Sequence, residues 1–255
     1  MLAELLTGDI FAFLFVFIRI GAALMVLPGI GDAYVTPRIR LVLALLFSAL
    51  LLPGLMSALP PPPDDPLVLA IMVAGEAIIG LFLGLIARFL LAALEVAGTV
   101  ISFQASLANA FVFNPAMTTQ GTLIGAFLTV TGLTVLFATD MHHLMLLAIA
   151  DSYSVFPPGA LPPLDDMANM MTRLAADSFS IGIRLSAPFL VIGMIFYLGL
   201  GLLNRLMPQM QIFFVAMPAQ IMLGLIVMAL TLSAGILFWL GRVQESLIGL
   251  VGGPV

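Results

Sequence analysis

Residues 201–222 read GLLNRLMPQMQIFFVAMPAQIM. Apolar runs flank this stretch, yet it holds Asn204, Arg205, Gln209, Gln211 and Gln220, with Pro208 and Pro218 ten residues apart. Proline has no backbone N–H and its ring clashes with the preceding helical turn, so it ends helices or sits in their first turn. Pro208 is therefore expected to end one apolar helix and Pro218 to start the next. That makes a helical hairpin whose tip carries Asn204, Arg205, Gln209 and Gln211. Amides in such a place are hydrogen-bonding groups that want a protein partner, so the hairpin reads as an interlocking unit of an assembly.

Composition says what surrounds it. Of 255 residues, 62% are hydrophobic and 8% charged, and the mean hydropathy is +1.24. A soluble domain is closer to half apolar and a quarter charged. One globular core of this length cannot hide so much apolar surface, so lipid or a very large protein partner must cover the rest. The chain reads as an all-α, polytopic integral membrane protein. Its net charge is −5 and its eight basic residues are all Arg. Nucleic acid binding, which needs a basic face, is excluded, as is a polybasic lipid anchor. With no Cys there is no disulfide framework, zinc-thiolate site or thiol nucleophile. MLAELLTGDI at the start carries Glu4 and Asp9 where a signal peptide would be positive, so Ile10–Leu27 is read as a retained helix.

Six apolar blocks follow: 10–27, 41–59, 67–103, 121–137 with a tail to about 156, 181–203 and 219–240. Each is near or above the ~18–20 residues that span a bilayer. At ~1.5 Å per residue the third is far longer than a ~30 Å hydrocarbon core, so it must protrude, tilt or break. Gly75, Gly80 and Gly84 are its candidate flex points, and Gly80 and Gly84 form a small-xxx-small pair suited to close helix contact. The connections sort by charge. Arg38 and Arg40 lie in the first and Arg205 in the fifth, while ALPPPPDDP (58–66) and ALPPLDD (160–166) are acidic. The positive-inside rule puts the first, third and fifth connections in the cytoplasm, with Arg242 opposing. In both acidic connections a proline run precedes two aspartates suited to a helix N-terminus.

Arg19, Glu76, Arg88, Glu95, Asp177 and Arg184 lie inside apolar blocks, each costing ~2.5–3.5 kcal/mol near a bilayer centre. Arg88 and Glu95 share one helix face, as do Arg173, Asp177 and Arg184. An ion or proton pathway is one reading. Arginines accompany the carboxylates, which favours buried structural ion pairs. TDMHHLM (139–145) is the one catalytic-looking cluster. Adjacent histidines project ~100° apart on a helix, so they do not easily ligate one metal together; Asp140 and His143, three apart, could share one, but no second ligand pair such as HExxH occurs, so the cluster is read as a polar helix end or a subunit contact and no metal site is expected. No nucleophile elbow, phosphate loop or dinucleotide fingerprint is present, so no enzyme and no cofactor are expected. The third connection, QASLANAFVFNPAMTTQ (104–120), has no charge but holds Phe111, Phe113 and an Asn114-Pro115 turn. Irregular backbone at membrane depth persists only inside protein or along a cavity. A re-entrant or pore-occupying loop and a short surface loop both fit.

Three stretches together resemble one family. NRLMPQMQIFFVAMP (204–218) is similar to the C-terminal signature of the FliR family of export-gate proteins; GTVISFQASLANAFVFNPAMTTQG (98–121) resembles its mid-chain plug region; DMHHLMLLAIADSYSVFPPG (140–159) resembles its Asp-Gly-His-His stretch. Met141 stands where the family usually has Gly, and Asn114 where Asp is common. The resemblance implies a FliP-like part over 1–180, a FliQ-like hairpin over 181–255, and a helical hetero-oligomer with FliP and FliQ. That complex is the entry portal of a type III secretion system for unfolded flagellar export substrates. It implies a plug over about 105–120, with Phe111, Phe113, Asn114 and Pro115 closing the pore. It places the tip around Asn204, Arg205, Pro208, Gln209 and Gln211 at the cytoplasmic end, where FlhB wraps the gate, and makes FlhA a further partner.

Overall fold

The computed structural model describes residues 2–107, 122–207, 209 and 211–251. Among these are seven helices and no strand: α1 Leu2–Val26, α2 Pro37–Leu55, α3 Pro66–Gln104, α4 Leu123–Ala138, α5 Met141–Val155, α6 Leu164–Leu206 and α7 Ile212–Val251. Five are long and apolar enough to cross a membrane; α4 and α5, bent by 75° at their junction, make a sixth candidate if taken as one span. The all-α, polytopic reading holds. α3 runs unbroken for 39 residues and α6 for 43, roughly 58 and 64 Å at 1.5 Å rise. Both exceed the hydrocarbon core, so α3 protrudes or tilts and does not break.

Local chemistry explains several ends. Pro37 opens α2 and Pro66 opens α3, positions where a missing N–H costs nothing. Asp65 accepts from the Leu67 N–H at 2.9 Å, and Asp165 and Asp166 fill the first turn of α6, as the two acidic connections predict. One expectation is corrected. Pro218 does not start the last helix; it lies inside α7, which begins at Ile212. Proline is tolerated in apolar helices whose neighbours restore the lost bonding.

The chain divides into two compact units. Unit 1 comprises 1–89, 137–174 and 244–255. Its core holds Phe15, Val16, Ile20, Ile79, Ile86, Met145 and Ile149. The small-xxx-small pair works here: a Cβ on Gly80 would run into the Arg19 carbonyl and come within 2.9 Å of Ala22, and one on Gly84 would lie 2.7 Å from the Ala23 carbonyl. α3 therefore touches the α1 backbone. The two proline-rich connections lie side by side, because a Cβ on Gly159 (φ +78°) would be 3.0 Å from Pro60. Unit 2 comprises 90–136 and 175–243. Trp239 is fully buried at its centre and donates its indole N–H to the Leu90 carbonyl at 2.8 Å, fixing α7 to α3. Gly98 and Gly125 allow α3 and the first turn of α4 to meet backbone to backbone.

Candidate functional site

Phe111, Phe113, Asn114 and Pro115 lie outside the described residues, but both ends of their segment are described. At the entry, α3 stops at Gln104 and Ser106 takes a left-handed φ of +58°. Buried Gln220 of α7 donates its amide to the Gln104 carbonyl at 2.6 Å and to the Tyr197 hydroxyl of α6 at 2.9 Å. The end of a helix leaves carbonyls without intrahelical partners, and Gln220 satisfies one of them. Gly193 makes room for the Gln104 side chain, and Gly224 for Ala105. At the exit, Thr122 is buried and its hydroxyl accepts from the Gly125 N–H at 3.0 Å, an N-cap for α4. The described residues on either side, Gln104 and Thr122, are thus both held in place within unit 2. The sequence reading assigned Gln220 to the polar hairpin; its role as the cap of α3 was hidden, since capping across 116 residues leaves no local pattern.

At the hairpin, Asn204 and Arg205 are exposed in the last turn of α6, and Gln209 and Gln211 are exposed beyond it. Arg205 sits at the negative end of the helix dipole, which favours a cation there. Pro208 lies outside the described residues.

The ion pairs differ from those expected. Arg88 does not pair with Glu95; it reaches Asp32 in the first connection at 2.5 Å, with 48% of its side chain exposed. Glu95, Arg173, Asp177 and Arg184 are exposed on this chain. Spacing along one helix finds partners only on that helix, whereas the buried pair joins two. Arg19 of α1 and Glu76 of α3 are 0% and 1% exposed, joined by Nε–Oε2 at 2.5 Å and an NH2–Oε1 bond at 3.0 Å. Arg19 also donates to the Ser152 hydroxyl and the Phe156 carbonyl and lies 4.1 Å above the Tyr153 ring. Glu76 accepts from the Gly159 N–H at 3.0 Å. Burying a charge is tolerable only when it is paired and hydrogen-bonded, and this cluster meets both conditions while tying α1, α3, α5 and the fourth connection together. Both residues were visible as lone charges of opposite sign in apolar helices. At Asp32, partial burial raises the pKa, but the bond from Arg88 and that from the Gly29 N–H outweigh it and leave the carboxyl below its usual value. Burial and the bond to Asp32 push Tyr34 up to about 12.

Apolar helices that exceed the bilayer and buried polar groups that hold helices together define an all-α polytopic membrane protein. A sequence profile of bacterial export proteins, family 1, matches residues 10–246. The flagellar biosynthetic protein FliR of Caulobacter vibrioides is 41% identical over 91% of this chain and 92% of its own length. FliR of Bacillus subtilis is 31% identical over 88% of each. The Yop proteins translocation protein T of Yersinia pestis is 29% identical over 60% of each. The chain belongs to the FliR family of bacterial export proteins.

Proposed function

We propose that this chain is a core subunit of the flagellar type III export gate, forming with FliP and FliQ the channel through which unfolded flagellar proteins cross the inner membrane. Family membership makes it a component of a type III export apparatus, and its apolar helices make it integral to the membrane. The finer reading assigns 1–180 to a FliP-like part and 181–255 to a FliQ-like hairpin. It gives the plug to the segment containing Phe111, Phe113, Asn114 and Pro115, and contact with FlhB to the tip at Asn204, Arg205, Pro208, Gln209 and Gln211, with FlhA a further partner of the gate. The exposed Glu95, Arg173, Asp177 and Arg184 then meet neighbouring subunits. No chemical step is required of the chain: it positions, closes and opens.

The observation that carries the plug reading is the pair of anchors at Gln104 and Thr122, which hold a charge-free segment at both ends. The test is deletion of 109–115 in the native gate. Assembly is expected to persist while the membrane becomes leaky to ions or export loses regulation. Unchanged permeability with normal export would overturn it. A virulence injectisome subunit is the second reading, supported by the relative from Yersinia pestis. The higher identity and fuller coverage of the Caulobacter vibrioides relative favour the flagellar reading. Purification of the tagged chain from its native membranes separates both from a solute transporter: two smaller hydrophobic proteins should accompany it.

A further inference from the structure

The bend between α4 and α5 gathers three donors. Asp140, His142 and His143 place one ligand atom each within 4.8 Å of the others. The expectation that adjacent histidines diverge fails at this helix start: their ring centroids are 4.1 Å apart. Phe137 explains the arrangement, because its ring stacks on His142 at 4.9 Å and holds that imidazole toward the bend.

Each donor has spare capacity. Asp140 occupies the N-cap position of α5, yet its carboxylate caps nothing. Its Oδ1 lies 3.6 Å from Nδ1 of His143. That is too long for a hydrogen bond but close to the roughly 3.4 Å edge of a tetrahedral site with bonds of ~2.0–2.2 Å. Nδ1 of His142 is shielded from solvent and has no hydrogen-bond partner, a state that costs free energy unless something satisfies it. Asp140 and His143 are 75% and 69% exposed, so an ion can arrive from water. The helix dipole at the start of α5 opposes a cation, and the Asp140 carboxylate offsets it.

We propose that Asp140, His142 and His143 bind a divalent transition-metal ion. Two imidazoles and one carboxylate suit zinc, cobalt, nickel or copper and not magnesium or calcium. Three protein ligands leave a fourth position open to water or to a donor from a neighbouring subunit. The site goes beyond the export-gate reading and does not depend on it.

The test uses the full chain with whatever co-purifies, carrying a histidine-free tag, stripped with chelator and titrated with Co²⁺. His142 and His143 are the chain's only histidines and it has no cysteine, so its own nitrogen ligation has one source. The expected result is one equivalent of Co²⁺ with the visible bands of a four-coordinate site, displaced by Zn²⁺. His142→Ala and Asp140→Asn should each weaken binding at least about tenfold, no less than loss of a second-shell partner costs, with unchanged yield and helicity. Absence of the bands, or bands that persist at equal affinity in both variants, overturns the proposal. A variant that fails to assemble is replaced by His143→Ala, whose exposed side chain makes misfolding easy to separate from lost ligation.

Discussion

Arg19 and Glu76 show what a buried charge requires. Removing one partner strands the other at a site with no exposure to water. Glu76→Gln is therefore expected to destabilise unit 1 by about 3–5 kcal/mol, read as a large drop in the unfolding midpoint of the detergent-solubilised protein. The double change Arg19→Met with Glu76→Leu should recover most of that loss, because apolar pairs replace buried ion pairs at little cost. A double variant no better than the single would show that the bonds to Phe156 and Gly159 matter more than the charge pair. Asp32 and Arg88 make the contrasting, exposed case, worth at most about 1 kcal/mol. The Asp32 carboxyl titrates below its usual value. Its contribution is thus fully present above the unfolded value near 3.8, and it is lost as pH falls through the lowered folded value. The stability difference between the wild type and Asp32→Asn should stay flat from neutral pH to about pH 5 and close only below about pH 4.

Helix contacts turn on where glycine is needed. Gly80→Ala places a methyl group against the Arg19 carbonyl, backbone that cannot step aside without moving α1. The expected cost is about 1–3 kcal/mol. Gly199→Ala in α6 meets nothing within 4 Å, and higher helix propensity should stabilise the detergent-solubilised chain by up to about 1 kcal/mol. Thermal midpoints that moved the same way would refute the assignment of a tight α1–α3 contact. The same contrast shows what the sequence discloses. Helical class, apolar length, the Gly80–Gly84 seam and the capping aspartates were legible, because each rests on local spacing. The start of the last helix was not, because an interior proline and an initial one look alike until the helix register is known. The break at Thr139–Asp140, with Asp140 at φ +58°, hid inside one apolar block. Of the candidate site, the charge-free segment and polar hairpin stood out. Their link through Gln220, and the Arg19–Glu76 pairing, depend on which helices are neighbours.

At the scale of the whole molecule, the question is what covers the apolar surface. α2 has only 11% of its apolar window buried, and Leu46 and Leu50 are 64% and 73% exposed. Two coverings are physically distinct. Lipid would accept these leucines without specificity, and a charge there would cost ~2.5–3.5 kcal/mol on insertion scales. A neighbouring subunit would cover them with close-packed side chains that exclude any probe larger than a methyl group. The natural absence of cysteine makes the distinction measurable without prior engineering. Leu50→Cys, solubilised in detergent at a pH of about 8.5 so that the thiol ionises, should be modified by a small apolar maleimide when the chain is produced alone. In the assembled gate it should be protected, while a cysteine replacing the buried Ala23 stays unreactive in both. Equal labelling of Cys at 50 in both states would mean that lipid covers α2 in the assembly, and that this helix is an ordinary membrane span. Protection only in the complex would mean that the hydropathy of this chain is largely the hydropathy of a protein interface. The weak charge asymmetry of its connections would then carry no information about orientation, because the helices would not be laid down by the rules that govern lipid-exposed spans.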